Sequence, residues 1–168
     1  EFCIADTIGA ANPAQVRALT RSLVKTHGAD RLGCHFHDTR AMGLANVYAA
    51  VESGIRKFDA AIAGLGGCPF APGASGNVAT EDVVMLLGQM GFATGIDLAR
   101  LMQAAQLAQE LTGTAPGGRA SAWLRRRLDR ARYGGPDARK RAFHWPIPEM
   151  LRSRTVVAQL QYTGQAAD

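Results

Sequence analysis

Three short apolar runs, each followed by a longer helical or glycine-rich stretch, alternate along the first half of this chain. Strands separated by helices of ten or more residues pair in parallel, with right-handed crossovers, so the order restricts the fold to the α/β class. The first run is Phe2 to Ile8. Period-two alternation puts Phe2, Ile4 and Asp6 on one face and Cys3 and Ala5 on the other. Asn12-Pro13 then predicts a helix start, with Asn12 as cap and Pro13 at the first helical position. Val16, Leu19, Leu23 and Val24 form its apolar stripe, and His27-Gly28 stops it. The second strand is Leu32 to His37, followed by a helix from about Met42 to Ser53. The third is Lys57 to Ala63. Thr80 and Asp97 are the expected caps of two further helices, the second ending at Gly113. Three strands are too few for a covered parallel sheet or a closed barrel, so further strands are expected upstream of Glu1.

Between the third strand and the next helix runs Gly66-Gly67-Cys68-Pro69-Phe70-Ala71-Pro72-Gly73-Ala74-Ser75-Gly76-Asn77. Glycine buries no side chain and loses the most backbone entropy on ordering. Its abundance here suggests a close backbone approach to a ligand, or turns closed to other residues. Cys68 sits in this loop and not on an apolar face, so it is the candidate reactive thiol. Cys3 and Cys34 are expected in the core, on the strand faces opposite Asp6 and His35.

The sharpest chemical signal is His35-Phe36-His37. Two histidines at i and i+2 on a strand point the same way, and their imidazoles can meet one ion. By itself the pair fits two structural histidines equally well. Asn77 offers a neutral oxygen at a helix start, where capping is the competing role. Two imidazoles, an amide oxygen and a carboxylate suit a divalent ion such as Mg²⁺ or Mn²⁺, and the ligand types also admit zinc.

The charge is uneven. Residues 119–154 carry eleven Arg or Lys against three acids, a net +8, while residues 1–118 carry eight against ten. The basic balance therefore belongs to the tail and says nothing about the partner of the main body. A basic helix over Ser121 to Arg132 is expected, then little regular structure. The tail reads as solvated, so nucleic-acid binding is not expected. No window holds 18 uninterrupted apolar residues, so no membrane span is expected, and no signal peptide is read. Three cysteines without a framework spacing point to a reducing compartment.

Asp6-Thr7-Ile8-Gly9, His35-Phe36-His37-Asp38-Thr39 and Ala63-Gly64-Leu65-Gly66-Gly67-Cys68-Pro69-Phe70, with Gly73 to Asn77 and Ala79-Thr80-Glu81-Asp82, closely resemble the 3-hydroxy-3-methylglutaryl-CoA lyases. The resemblance covers residue 1 to about 115. It implies the C-terminal portion of a (β/α)₈ TIM barrel, an incomplete barrel of about three parallel strands with closing helices. Residues 116–168 would then be a basic, partly helical or disordered extension. It implies His35, His37 and Asn77 as ligands of Mg²⁺ or Mn²⁺. It implies Cys68 as the catalytic thiol on a mobile loop and Asp6 as an acid beside the substrate hydroxyl. It implies cleavage of an acyl-CoA substrate to acetyl-CoA and acetoacetate, in the cytoplasm or, in a eukaryote, the mitochondrial matrix. A homodimer is left open. The family's fourth metal ligand, an aspartate, and a neighbouring arginine would precede Glu1, so this chain alone is expected to be inactive.

Two alternatives stay open. One is a condensing relative of the citramalate or isopropylmalate synthase kind, which shares the His-x-His-Asp-Thr block but not the Gly-Leu-Gly-Gly-Cys-Pro block. The other is a non-catalytic, truncated barrel piece.

Overall fold

The computed structural model describes residues 1–66, 76–113 and 117–133, together with residues 154–155 and 157–159. Strand β1 (Phe2–Asp6) is followed by α1 (Pro13–His27), β2 (Leu32–Phe36), α2 (Gly43–Glu52) and β3 (Lys57–Asp59). Then come α3 (Thr80–Gln89), β4 (Phe92–Ala93), α4 (Leu98–Thr112) and α5 (Ser121–Tyr133). Two short strands, β5 (Arg154–Thr155) and β6 (Val157–Gln159), lie in the tail. The main sheet runs β1-β2-β3-β6, with every described pairing parallel. β4 pairs in parallel with β5.

Local sequence explains the helix ends. Asn12 accepts from Gln15 N while the Gln15 side chain accepts from Asn12 N, a reciprocal cap with Pro13 in the first turn. Asp97 accepts from the amides of Ala99 and Arg100, and Gly113 closes α4 in the left-handed conformation. Thr80 departs from expectation. Ala79 is the cap, and Thr80 lies inside α3, buried, with its amide on Ala61 O at 2.8 Å. A bond to the neighbouring strand end overrides the local capping preference of threonine.

The core lies between the sheet and its helices. Leu32, Cys34 and Phe36 of β2 pack with Val47, Ala50 and Val51 of α2, and with Ile55, Phe58, Val83 and Leu87. The alternation within β2 sends these three residues to the helices and leaves Gly33 and His35 on the other face.

Two strand predictions shorten, and the tail gains strands that were not expected. β1 ends at Asp6, because Gly9 takes a positive φ of 69° and donates to Asp6 O in a turn. β3 ends at Asp59, because Ala63 adopts a φ of 57° in a short turn over Ile62–Gly64. The tail, expected to lack regular structure, supplies β6 to the free edge of β3 and β5 to β4. The predicted boundary near residue 115 lies outside the described residues.

Candidate metal and substrate site

Parallel register brings the carboxyl ends of β1 and β2 together, with Asp6 opposite Phe36. His37 follows β2 directly, is buried, and forms a single antiparallel bridge with Asn77. Val78 N donates to Phe36 O at 3.0 Å, and Asp38 N donates to Gly76 O at 3.2 Å. Residues 76–78 therefore run beside the end of the strand that carries the histidines.

The rings of His35 and His37 lie with centroids 5.0 Å apart and planes at 74°. His37 Nδ1 is 2.9 Å from Asp6 O. A carbonyl only accepts, so Nδ1 carries the hydrogen and Nε2 remains for a ligand. Burial holds the His35 pKa below its ordinary value, and the neighbouring His37 acts in the same direction. Asp59, Asn77 and Asp6 oppose these effects in part. The neutral form so favoured is the one that binds metal.

Asn77 Nδ2 donates to Leu65 O at 2.7 Å. That carbonyl fixes which end of the amide is nitrogen, since it could not face an oxygen. Asn77 Oδ1 is buried and makes no hydrogen bond of full geometry, although it lies near enough to His35 to favour the protonated imidazole. A buried oxygen left open beside two imidazoles fits a cation. Among the described residues, no three His, Cys, Asp or Glu side chains form a metal-holding group. The third donor available to the histidines is this amide.

Asp6 is corrected: it pairs with Phe36, so at the strand end it lies on the helix-side face and not on that of His35, and its carboxylate is engaged locally. Its Oδ1 accepts from Ala10 N at 2.9 Å and its Oδ2 from Ala11 N at 3.1 Å. Arg40 takes the carbonyls of the same loop, donating to Gly9, Ala10 and Ala11. The loop after β1 is thus tied from its amides by Asp6 and from its carbonyls by Arg40.

Cys3 is corrected. Its partner in the sheet is Gly33, so it shares a face with His35, and it is exposed. The thiol lies 3.5 Å from Asp59 Oδ2, and desolvation with that carboxylate pushes its pKa up to about 11. Cys34 is the core thiol, pushed up to about 12 by burial. Cys68 lies outside the described residues.

A cavity of about 590 Å³ opens beside the amide, lined by Asp38, Gly64, Gly66, Asn77 and Arg119 among others. Arg119 Nε stands 3.6 Å from Asp38 Oδ2. Sequence reading missed the carboxylates that hold this wall. Asp82 accepts from the amides of Arg119 and Ala120, and Glu81 from Gly118 N and Ser121 Oγ. Both are acids in the first turn of a helix, which local rules explain by the helix dipole alone. The nearest signal was Gly117-Gly118, since a Cβ on either would strike those carboxylates at 2.5–2.7 Å.

A family model described as HMGL-like matches residues 1–108. The chain belongs to the HMGL-like family. It is 49% identical over 113 residues to the hydroxymethylglutaryl-CoA lyase YngG of Bacillus subtilis, covering 67% of this chain and 38% of that one. It is 50% identical over 104 residues to the (R)-citramalyl-CoA lyase of Chloroflexus aurantiacus, covering 62% and 33%. The structure of an HMG-CoA lyase from Acinetobacter baumannii in complex with coenzyme A and 3-methylmalate superposes with a TM-score of 0.68 at 46% identity, covering 71% and 39%. The chain therefore spans well under half the length of these relatives. Its parallel strands and helices are an arc of the family's TIM barrel. No helix among the described residues is long and apolar enough to cross a membrane.

Proposed function

We propose that this HMGL-like chain supplies one side of a metal-dependent carbon–carbon lyase site that cleaves 3-hydroxy-3-methylglutaryl-CoA to acetyl-CoA and acetoacetate. The observation that carries the reading is the open Asn77 Oδ1 beside the His35–His37 pair. The site lies at the carboxyl ends of parallel strands, where barrel enzymes hold their chemistry.

His35, His37 and Asn77 would hold Mg²⁺ or Mn²⁺, which when bound polarises the substrate oxygens and spreads the charge of the departing enolate. Asp6 O keeps His37 in the tautomer that leaves Nε2 free. The Asp6 carboxylate takes the proton of the tertiary hydroxyl as the carbon–carbon bond breaks. Its two loop amides leave each oxygen a second lone pair for that proton. The bonding pair passes to the enolate of the acetyl thioester, and the Cys68 thiol returns a proton to its carbon. The former carbinol carbon becomes the ketone of acetoacetate.

The acyl-CoA substrate is supported by the coenzyme A in the Acinetobacter structure. The match to a citramalyl-CoA lyase favours a second substrate of the same reaction class. Cysteines without a pairing pattern support a reducing location, the cytoplasm or, in a eukaryote, the mitochondrial matrix. The family match ends at residue 108, which supports residues 116–168 as an extension to the barrel piece.

A chimera tests the reading. Residues 1–108 replace the matching part of the Bacillus subtilis lyase, and product release from both thioesters is followed with Mn²⁺. Acetoacetate from the first substrate, lost in His35→Ala, is the expected result. A folded chimera that cleaves neither thioester contradicts the proposal.

A further inference from the structure

We propose that Glu81 is the positioning residue that orients the Asn77 amide, through the turn over Ala61 to Leu65. The inference deepens the reading of Asn77 as a cation donor, on which it rests. Glu81 is fully buried at the start of α3. A carboxylate in that place is costly unless it is hydrogen-bonded. Its Oε2 accepts from Ala63 N at 3.1 Å, while its Oε1 takes Gly118 N at 2.8 Å and Ser121 Oγ at 3.1 Å.

Ala63 is the residue that needs holding. Its φ of 57° lies in the left-handed region, which disfavours a residue with a Cβ. On either side, Gly64 N donates to Ala61 O and Leu65 N to Ile62 O, both at 3.1 Å. These bonds and the carboxylate hold the turn that ends at Leu65, two residues on, and so the place from which Leu65 O is presented. That carbonyl is the acceptor of Asn77 Nδ2. Glycine leaves room for the contact, since a Cβ on Gly66 would stand 2.9 Å from Asn77 Nδ2, and one on Gly64 would stand 3.1 Å from Asn77 O.

The amide has two faces and one is open. With Nδ2 on Leu65 O, Oδ1 is left without a hydrogen bond of full geometry. If the turn relaxes, Nδ2 loses its acceptor and nothing distinguishes the two ends of the amide. Glu81 therefore acts through backbone and touches neither ion nor substrate. Because its other oxygen holds the segment that leads into α5, the same carboxylate links that segment to the site.

The test follows the side-chain amide of Asn77 in ¹⁵N–¹H spectra of the whole chain, assigned by its disappearance in Asn77→Asp. Glu81→Gln keeps the volume but presents an amide nitrogen to one of the donors. It should speed exchange of the Asn77 side-chain protons on the order of tenfold, the equivalent of one hydrogen bond. Ser121→Ala removes a partner from the other oxygen of the carboxylate and should leave the Asn77 signal in place. An unmoved Asn77 signal in folded Glu81→Gln, or an equal displacement in Ser121→Ala, overturns the proposal. If Glu81→Gln does not fold, native-state exchange of the unsubstituted chain decides. The Ala63 amide and the Asn77 side chain should lose protection at the same denaturant concentration. A freely exchanging Ala63 amide beside a protected Asn77 refutes the coupling. No readout uses a metal, so failure here is distinct from failure of the metal reading.

Discussion

His37 Nδ1 donates to the backbone carbonyl of Asp6 at 2.9 Å, across the adjacent ends of β2 and β1. The bond uses main chain on one side, so it would survive replacement of the Asp6 carboxylate. It also decides the tautomer. Nitrogen shifts of the unsubstituted chain at mildly alkaline pH should show His37 protonated at Nδ1 and bare at Nε2. The reverse pattern would mean that the contact does not hold in solution.

The described thiols should be slow. The nucleophile is the thiolate, and desolvation raises the pKa of Cys3 to about 11 and of Cys34 to about 12. At neutral pH, iodoacetamide should therefore label Cys68 first, and Cys68→Ser should lose the fast phase. Rapid labelling of Cys3 in that variant would contradict the assignment of reactivity to the glycine-rich loop.

Asp82 gives a pH signature. Burial lifts its pKa above the ordinary 3.8, helped by Glu81 and Asp38, while the amides of Ala120 and Arg119 pull it down. Arg119 is the cation nearby, ion-paired with Asp38. A raised pKa means that the folded chain holds this proton more tightly than the unfolded chain. The contribution is therefore present in full below pH 3.8 and is lost as pH rises to the folded value. Urea unfolding across mildly acidic pH should show this loss in the unsubstituted chain and a smaller one in Asp82→Asn. Equal pH slopes in the two chains would remove Asp82 as the cause.

Gly76 is among the tightest of the described glycines beside the site. It has a φ of 69°, and a Cβ there would meet Gly64 O at 2.5 Å. Gly76→Ala should cost about 1–3 kcal/mol from the backbone conformation alone. The clash adds to this and pushes residues 76–78 away from β2. Calorimetric melting measures the loss, and an unchanged midpoint would contradict the packing described.

Much of this architecture was legible because its signals are local. The cap at Asn12 depends on Gln15 three residues on, and Asp97 serves the amides of Ala99 and Arg100, two and three residues on, so neighbouring sequence suffices. Two histidines separated by one residue share a strand face wherever the strand lies. What escaped was non-local. Sequence can match faces between strands only by chemistry, whereas register sets them: the pairing of Cys3 with Gly33 turns that thiol to the side of His35, and the pairing of Asp6 with Phe36 turns that carboxylate to the helix side. The left-handed Ala63 is held by Glu81, eighteen residues later, and no local rule anticipates it. The site is divided likewise. Its imidazole pair could be read from spacing, but the open Asn77 oxygen depends on a carbonyl twelve residues away.

Manganese binding by the intact chain, followed by electron paramagnetic resonance, tests the shared cation site most directly. The unsubstituted chain should bind Mn²⁺, and His35→Ala, His37→Ala and Asn77→Ala should each weaken binding on the order of tenfold or more. Binding that is equal in all four folded chains would contradict a cation held jointly by these three side chains.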